Sequence, residues 1–444
     1  MWIGLDDTDS RSAGCTTYIA FKIAVKFSDH VNSLPRLVRL NPNLKYKTRG
    51  NGALSLSVSE KRKSPCMPIG RSEGMDISIN IENSNPEPVD TAFRKEIISE
   101  VLKIVDQYYE RGEANTNPGI VFTDRKFGPD IYRLALETDI PMEYIENILA
   151  KEHSEYYKIG NGRGIVGATA SISWDRKKTT YELLNYKYPK AGIIDEDVKR
   201  KIGRIAESYE STFNNLDAED GKICLFPRER TPVIYGVRAL EFHELKQVQD
   251  EINSVFPEFS KNYMIFATNQ GTDDHILKHK ANENFKELAS YEITGYVSKM
   301  PFRRKGGHLF FKVRTGGISI DAVAFEPSKG FRKEVEKLQI GDNVRLFGSF
   351  SGGTIKIEKI EIIHPSVLYV RKTPVCHNCG SKTSNIGSMK YRCNTCKTML
   401  EPEYIKKDEM ERPMKMEPPV YARRHLSMPW KLENASFGSD EHEF

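Results

Sequence analysis

Apolar and polar positions along the first 123 residues follow the periods of strands and helices in turn. In chain order the predicted elements are a strand at 1–5, a helix at 16–27, strands at 36–41 and 53–59, a helix at 91–111 and a strand at 118–124. Asp90, at the end of a Pro- and Asn-rich loop, is the expected cap of the second helix. This order suggests a ferredoxin-like split βαβ unit with a β-rich insertion at 62–82.

The pattern from about 130 to 275 predicts a second α/β block. It contains a short helix near 141–150 and strands in "PVIYGVRA" and "YMIFATN". The polar stretch 189–222 has no clear period, so its topology is not predicted.

Residues 289–363 show the order of an OB-fold, five strands with a helix between the third and the fourth. A basic loop after the first of these strands and nearby aromatic residues favour RNA binding. The residues concerned are Lys299, Arg303, Arg304, Lys305, Phe310, Phe311 and Tyr391. Because Phe310 and Phe311 alternate along a strand, at least one of them is expected in the barrel core, and a basic loop alone can be ordinary solvated surface.

Composition narrows the class of protein. The 444 residues suffice for about three domains. No apolar run approaches the roughly 20 residues of a membrane span, and the N-terminus lacks a secretory signal pattern. A cytoplasmic protein is therefore expected. The small excess of 66 Lys and Arg over 61 Asp and Glu permits a nucleic-acid partner without requiring one.

Four of the seven cysteines lie within 21 residues, in a C-x₂-C-x₁₃-C-x₂-C arrangement. Cys376, Cys379, Cys393 and Cys396 offer four thiolates, which suit tetrahedral Zn²⁺. Gly380 follows the first pair, where a knuckle often needs a positive φ. A site closed by four cysteines leaves no position for substrate, so the expected zinc is structural. The alternative is four unliganded thiols.

Three aspartates, Asp6, Asp7 and Asp9, follow the first predicted strand. Like charges at this spacing repel, and carboxylates with phosphate oxygens are a common Mg²⁺ environment. Gly14 and Thr16 then stand at the start of the predicted first helix, where backbone N–H groups favour a phosphate. Capping by Thr16 or Thr17 is the structural alternative.

Three further stretches combine glycines, amides and cations, as phosphate-binding loops do. The candidate residues are Lys45, Lys47, Thr48, Arg49, Gly50 and Asn51 in "KYKTRGNGA", Asn117 in "NTNPG", and Gly160, Arg163 and Gly164 in "GNGRGIVGA". The first stretch can also be a plain basic β-turn. None is a Walker motif, but together with the aspartates they indicate a phosphate and Mg²⁺ site suited to phosphoryl transfer.

Several motifs in the same order carry a resemblance over nearly the whole chain. They are "IGLDDTDSRSAGCTTY", "RLVRLNPNLKYKTRGNGA", "NTNPGIVF", "GRGIVGA", "TPVIYGVRA", "MIFATNQGTDDH", "AFEPSKGFR", the four-Cys segment and "ARRHLSMP". In these the chain resembles the archaeal tRNA agmatinylcytidine synthetase (TiaS) family.

The resemblance implies an α+β multidomain protein, with a kinase-like and ferredoxin-like N-terminal half followed by an OB-fold barrel and a zinc ribbon. The expected divisions are an ATP-binding catalytic domain at 1–130, a second α/β domain at 131–280, the OB-fold at 285–366, the ribbon at 370–402 and a partly ordered tail at 403–444. Basic residues of that tail, in "YARRHL", are expected to contact tRNA phosphates.

The resemblance also implies an activity, an ATP-dependent ligation. ATP activates the C2 carbonyl of the wobble cytidine in the isoleucine tRNA with a CAU anticodon, and agmatine displaces the activated oxygen. Asp6, Asp7 and Asp9 become the Mg·ATP ligands, Lys47 and Arg49 triphosphate contacts, and Thr16 a self-phosphorylated residue.

For agmatine the family-like stretches not used by ATP suggest Tyr235, Gly236, Thr268 and Asn269. Their alternative role is packing at strand ends. Two other functions remain open at this point, namely an RNA-binding protein without catalysis and a different ATP-dependent RNA kinase or ligase. No membrane partner is expected, and no feature indicates an oligomeric state.

Overall fold

The computed structural model describes residues 1–10, 13–47, 50–60, 66–80, 86–187, 194–217, 219–227, 230–280, 283–367, 369–387, 390–406 and 412–438. Its N-terminal strands are β1 (Trp2–Asp6), β2 (Arg36–Arg39), β3 (Gly52–Ser57), β4 (Cys66–Ser72), β5 (Met75–Asn80), β6 (Gly119–Thr123), β7 (Glu155–Lys158), β8 (Thr180–Tyr186), β9 (Thr212–Phe213), β10 (Val233–Ala239) and β11 (Asn262–Thr268). The helices of the same region are α1 (Thr16–Lys26), α2 (Thr91–Tyr108), α3 (Asp130–Glu137), α4 (Met142–Lys151), α5 (Gly164–Ser173), α6 (Glu196–Glu207) and α7 (Phe242–Val255).

These strands join in one sheet, in the order β7-β6-β1-β3-β2-β11-β8-β10-β9, with the β4–β5 hairpin attached through β11. The part β6-β1-β3-β2 is the antiparallel arrangement of a split βαβ unit. The predicted order of the first 123 residues is therefore confirmed. The β4–β5 hairpin occupies the predicted insertion, of which residues 61–65 and 81–85 lie outside the described part.

One parallel pairing, β2 with β11, joins the first strands to those of the second block. Helix α5 packs against β1 and β3. Ala168 of α5 lies so close to Gly4 of β1 that a Cβ at Gly4 would be 2.5 Å from the carbonyl oxygen of Ala168. Asp90 caps α2 as predicted, since its Oδ1 accepts from the backbone N–H of Phe93 at 2.8 Å. The core of this half is continuous across the sheet.

The OB-fold is present as predicted. After the short β12 (Ile276–Lys278), its elements are β13 (Ser290–Arg303), β14 (Leu309–Thr315), β15 (Ile318–Ala324), α8 (Gly330–Val335), β16 (Asn343–Ser351) and β17 (Thr354–His364). Pairing of β13 with β16 and of β15 with β17 closes the barrel. Phe311 is buried in its core while Phe310 is half-buried, so the alternation is as expected.

The remaining strands belong to the C-terminal part, β18 (Tyr369–Lys372), β19 (Thr383–Gly387), β20 (Lys390–Cys393), β21 (Met399–Leu400), β22 (Glu403–Lys406) and β23 (Lys415–Met416). Strands β19, β20 and β21 form a small sheet at the cysteines, while β18 and β22 pair with each other.

The segment 412–438 differs from the expected partly ordered tail. It adds β23 to the OB barrel and then returns to the first half, where Gly438 pairs with Thr179. Buried polar contacts with the N-terminal sheet and with the OB barrel hold this segment in place. We call residues 412–438 the C-terminal strap.

Candidate functional site

A cavity of about 640 Å³ opens among the ends of β1, β2, β3, β8 and β10. The first block contributes its acidic residues, the second block contributes β8 and β10, and the C-terminal strap closes one side with Arg424, His425 and Leu426. The cavity therefore needs chain segments that are distant in sequence.

The three aspartates line this cavity together. Asp7 adopts a left-handed backbone conformation (φ 59°), which turns the chain sharply after β1. Its Oδ2 accepts from the backbone N–H of Asn117 at 3.0 Å, and its own N–H donates to Oδ1 of Asp6 at 2.7 Å. These contacts fix the two carboxylates side by side.

Burial and mutual repulsion act on the same carboxylates. Burial, then the charges of Asp7 and Asp9, raise the pKa of Asp6 well above its usual value. The pKa of Asp7 rises to about 6, mainly because it is buried. Buried acids held together in this way gain most from a bound cation, so the residues fit the expected magnesium ion.

The helix start expected to hold phosphate lies beside the aspartates. Thr16 is the first residue of α1, is 6% exposed, and accepts from the hydroxyl of Thr8 at 3.2 Å. The capping position is Cys15 rather than a threonine, and among the described residues no side chain caps this helix. Gly14 has a φ of 81°, and a Cβ there would lie 2.6 Å from Cγ of Glu110. Only glycine fits that turn.

The loop 45–52 is described in part. Lys45 is exposed, Gly50 and Asn51 line the cavity, and Thr48 and Arg49 lie outside the described residues. Lys47 also lines the cavity and donates to the carbonyl oxygen of Pro42. Burial, followed by the nearby charge of Arg424, lowers the pKa of Lys47 to about 8.

The two Gly- and Asn-rich turns meet where β6 begins and β7 ends. Oδ1 of Asn117 accepts from the N–H of Asn161 at 3.0 Å, and Gly160 approaches so closely that a Cβ would lie 2.6 Å from that oxygen. Gly164 and Arg163 line the cavity. Arg163 stacks on the ring of Tyr46 at 3.9 Å and pairs with Asp139, so its guanidinium is already engaged.

The four cysteines converge at the other end of the chain. Their ligand atoms lie within 4.8 Å of one another, with Sγ–Sγ distances of 3.4 Å from Cys379 to Cys393 and Cys396. Four thiolates at about 2.3 Å from a tetrahedral ion would be roughly 3.8 Å apart, so the cluster fits Zn²⁺. Gly380 has the positive φ (70°) expected of a knuckle.

The basic residues of the OB barrel form an aromatic–cationic surface on its first hairpin. Arg304 lies over the ring of Phe310 at 4.4 Å, and Lys299 lies over Phe302 at 4.5 Å. Arg303 instead pairs with Glu336 on the surface. Among the described residues, no helix combines the length and the apolar character needed to cross a membrane.

Family models match the chain in three consecutive parts. They are described as the TiaS TCKD domain (residues 2–161), the TiaS FLD domain (residues 162–275) and an OB-fold nucleic acid binding domain (residues 291–368). The isoleucine tRNA 2-agmatinylcytidine synthetase TiaS from Thermoplasma volcanium is 37% identical over 98% of each chain. The chain belongs to the TiaS family.

Two solved structures of TiaS complexes match this chain over 98% or more of its length. The complex of TiaS with its isoleucine tRNA and ATP is 29% identical and superposes with a TM-score of 0.78, covering 100% of this chain and 99% of the other. The complex of TiaS with the same tRNA, AMPCPP and agmatine is 26% identical, with a TM-score of 0.74 and 98% coverage of both chains.

The residues that the TiaS resemblance suggested for agmatine do not all reach the cavity. Gly236 lines it. Tyr235 is buried beneath, where its hydroxyl donates to Gln249 at 2.9 Å. Thr268 is fully buried, and Asn269 is bound through its amide to the backbone of Arg39 (2.7 and 2.9 Å). Sequence reasoning did not assign Arg39, Glu182, Arg238, Arg424 and His425 to the cavity, although it had named the basic residues of "YARRHL" as tRNA contacts. All of these except Glu182 lie inside the family motifs that begin "RLVRLN", "TPVIYGVRA" and "ARRHLSMP", which was the available signal.

Gly167 offers a test of the acidic end of the cavity. It lies in α5, and a Cβ there would be 1.9 Å from Oδ2 of Asp6. Alanine normally strengthens a helix interior relative to glycine, but here it must displace the carboxylate. We expect Gly167→Ala to reduce ATP turnover about a hundredfold, measured as AMP release. Gly128→Ala is the control, because a Cβ at Gly128 would meet no described atom within 4 Å. Turnover equal to the parent in Gly167→Ala would contradict this placement of Asp6.

Proposed function

We propose that this chain is an ATP-dependent ligase that attaches agmatine to C2 of the wobble cytidine in the isoleucine tRNA with a CAU anticodon. The observation that carries the proposal is the end-to-end match to structures of TiaS with an isoleucine tRNA, ATP and agmatine. The cavity agrees with it, because carboxylates suited to Mg·ATP and open space for a base share one enclosure.

The reaction follows from the chemistry of the substrates. The C2 oxygen of cytidine attacks a phosphorus atom of ATP, the phosphoanhydride bond at that phosphorus breaks, and the remainder of ATP departs. The C2 oxygen now carries the phosphorus group and is part of a leaving group. The primary amine of agmatine then adds to C2 and loses a proton, and the oxygen departs with its phosphorus group. The wobble base is unpaired, so only stacking, of the order of a few kcal/mol, opposes its entry into the cavity.

Asp6, Asp7 and Asp9 would hold Mg²⁺ against the ATP phosphates, and the ion would neutralise charge there. The chain itself orients these carboxylates through the N–H groups of Asp7 and Asn117. Thr16 is the residue proposed for self-phosphorylation, since its hydroxyl lies on the same cavity wall. Four thiols that are free of disulfides, and a tRNA substrate, support the cytoplasmic location expected from the sequence.

The two alternatives are not favoured. A purely RNA-binding protein has no need of buried, mutually repelling carboxylates in a cavity. Another RNA kinase or ligase would not explain the match to a complex containing agmatine.

The experiment that tests the function is mass spectrometry of the wobble nucleoside after incubation with ATP, agmatine and the tRNA transcript. We expect the mass of 2-agmatinylcytidine, and unmodified cytidine when either ATP or agmatine is omitted. A phosphorylated nucleoside as the stable product, or no ATP consumption, would disprove the proposal. A methionine tRNA with the same anticodon is the specificity control.

Loss of zinc should affect tRNA handling more than the ATP site. None of the four ribbon cysteines lines the cavity. A structural Zn²⁺ supplies much of the folding energy of a small ribbon. We expect Cys393→Ser to lose one equivalent of zinc by elemental analysis and to weaken tRNA binding about tenfold or more, while ATP affinity stays within twofold. Ser384→Ala, in the same ribbon but without a thiol, is the control. Full zinc content in Cys393→Ser would contradict the assignment.

A further inference from the structure

A buried cluster on the cavity wall contains two guanidinium groups and one carboxylate. Arg238 and Glu182 stand opposite each other on β10 and β8, with Nη2 of Arg238 2.9 Å from Oε1. Nη2 of Arg39 lies 3.9 Å from Oε2, the other oxygen. Gln270 donates to the same Oε2 at 2.5 Å and accepts from Nε of Arg238 at 3.1 Å. The cluster therefore carries one positive charge more than its acid neutralises.

The described groups around the cluster do not neutralise its extra positive charge. Nε of Arg39 is buried and has no hydrogen-bond partner among the described residues. Asp9 acts on Arg39 only as a minor influence, after Glu182 and Arg238. The same positive charge acts on His425 of the strap. The charge of Arg39, then burial, then the charges of Arg238 and Lys47 hold the pKa of His425 well below its usual range.

Three glycines border the cluster on the cavity side. A Cβ at Gly50 or Gly52 would lie 2.7 or 2.8 Å from Nη1 of Arg39, and one at Gly236 would lie 3.4 Å from Oε1 of Glu182. All three line the cavity together with Arg39, Glu182 and Arg238. Because Gly50 and Gly52 have no side chains, the guanidinium of Arg39 can lie along the cavity wall. A larger residue at either position would displace that guanidinium.

We propose that Arg39 and Arg238 form a phosphate-binding subsite, separate from the carboxylates at the end of β1. Guanidinium groups bind phosphate oxygens in pairs and keep their charge when buried. The proposal rests on the proposed function in one respect, that ATP and tRNA are the phosphate-bearing substrates. The phosphate is either one released from ATP or the backbone phosphate beside the wobble nucleotide. Agmatine, which carries two positive charges at neutral pH, is repelled from this wall.

Two substitutions change the surplus charge in opposite directions. Arg238→Gln leaves Arg39 to pair with Glu182 and brings the cluster to neutrality. Glu182→Gln keeps an acceptor for Arg238 and raises the surplus by one. We therefore expect metal-free pyrophosphate or RNA to bind roughly ten- to a hundredfold more weakly to Arg238→Gln, and at least as tightly to Glu182→Gln as to the parent.

The measurement is isothermal titration of the full chain in EDTA, first with inorganic pyrophosphate and then with an anticodon stem-loop. Weakening of pyrophosphate alone identifies an ATP-derived phosphate, and weakening of RNA alone identifies the backbone phosphate. Unchanged affinity for both ligands in Arg238→Gln overturns the proposal. So does an equal loss in both variants with a lowered melting temperature, because that result indicates packing.

The metal-site variant Asp7→Asn separates this proposal from the proposed function. It should bind pyrophosphate in EDTA like the parent even though it makes no product. If the parent chain showed no ligase activity, the proposed function would fail, but the titration would still test the phosphate subsite.

Discussion

Replacement of Asp7 by asparagine is expected to abolish ATP turnover, with a loss of at least about a hundredfold, while tRNA affinity changes less than twofold. Asparagine tolerates the left-handed backbone of this position (φ 59°) and can still accept from the N–H of Asn117. The substitution therefore removes a charge with little change in shape. AMP release with cognate tRNA and agmatine measures the first quantity, and filter binding measures the second.

Asp124→Asn is the matched control, since Asp124 is exposed and paired with Arg94 away from the cavity lining. It should turn over ATP at the parental rate. If Asp7→Asn retained parental turnover, the metal-binding role of this aspartate would be wrong. A large drop in melting temperature in Asp7→Asn would instead indicate a folding defect, which thermal unfolding distinguishes from a loss of chemistry.

Removal of the C-terminal strap is expected to reduce product formation by at least about a hundredfold. Arg424 joins the strap to the N-terminal sheet and to the barrel. It donates to Asn43, beyond β2, at 2.7 Å, and to Glu358 and Ser349 of the barrel at 3.0 and 3.3 Å. The carbonyl oxygen of His425 accepts from the N–H of Gly271 at 2.8 Å. A chain ending at residue 411 loses this wall of the cavity and the link between barrel and sheet.

A chain ending at residue 438 keeps every contact of the strap described above and should retain parental activity. The single substitution Arg424→Ala isolates the link. The substitution removes the Arg424 guanidinium from Glu358, which is 6% exposed and keeps His275 as a partner. Removing one partner of a buried charge lowers the free energy of unfolding by about 3–5 kcal/mol. We expect a lower melting temperature and reduced product yield. Parental activity in the chain ending at residue 411 would show that the strap is dispensable.

Much of the fold could be predicted because its signals are local. The period-two pattern of "ALSLSVS" and the Asp90 cap depend on residues within a few positions of each other, and the strand and the cap are both confirmed. The pattern is typical of a half-buried strand, but here the serine face is buried as well, because α5 and α1 cover the sheet. The four cysteines likewise carry their spacing in the sequence. The adjacency of Asp6 and Asp7 placed the acidic end of the cavity without any knowledge of the sheet.

The basic side of the cavity could not be predicted in this way. Arg39, Glu182 and Arg238 belong to three separate strands, and they meet only because β2, β11, β8 and β10 follow one another across the sheet. Arg424 was expected to bind tRNA phosphates from a partly ordered tail, but it lies in the C-terminal strap, where its guanidinium pairs with Glu358 of the barrel at 3.0 Å. Asn269 was suggested as an agmatine contact, but its side-chain amide binds the backbone of Arg39, which is distant in sequence. Long-range pairing decides such roles.

The continuous sheet has a consequence for how this gene could be divided or recombined. The boundary between the first two family models, at residues 161 and 162, falls just before α5, the helix that packs on β1 and β3. Two fragments separated there would each expose apolar surface that the other covers. We therefore expect either part expressed alone to be poorly soluble, so that a recombination joint at this boundary would separate surfaces that fold only together.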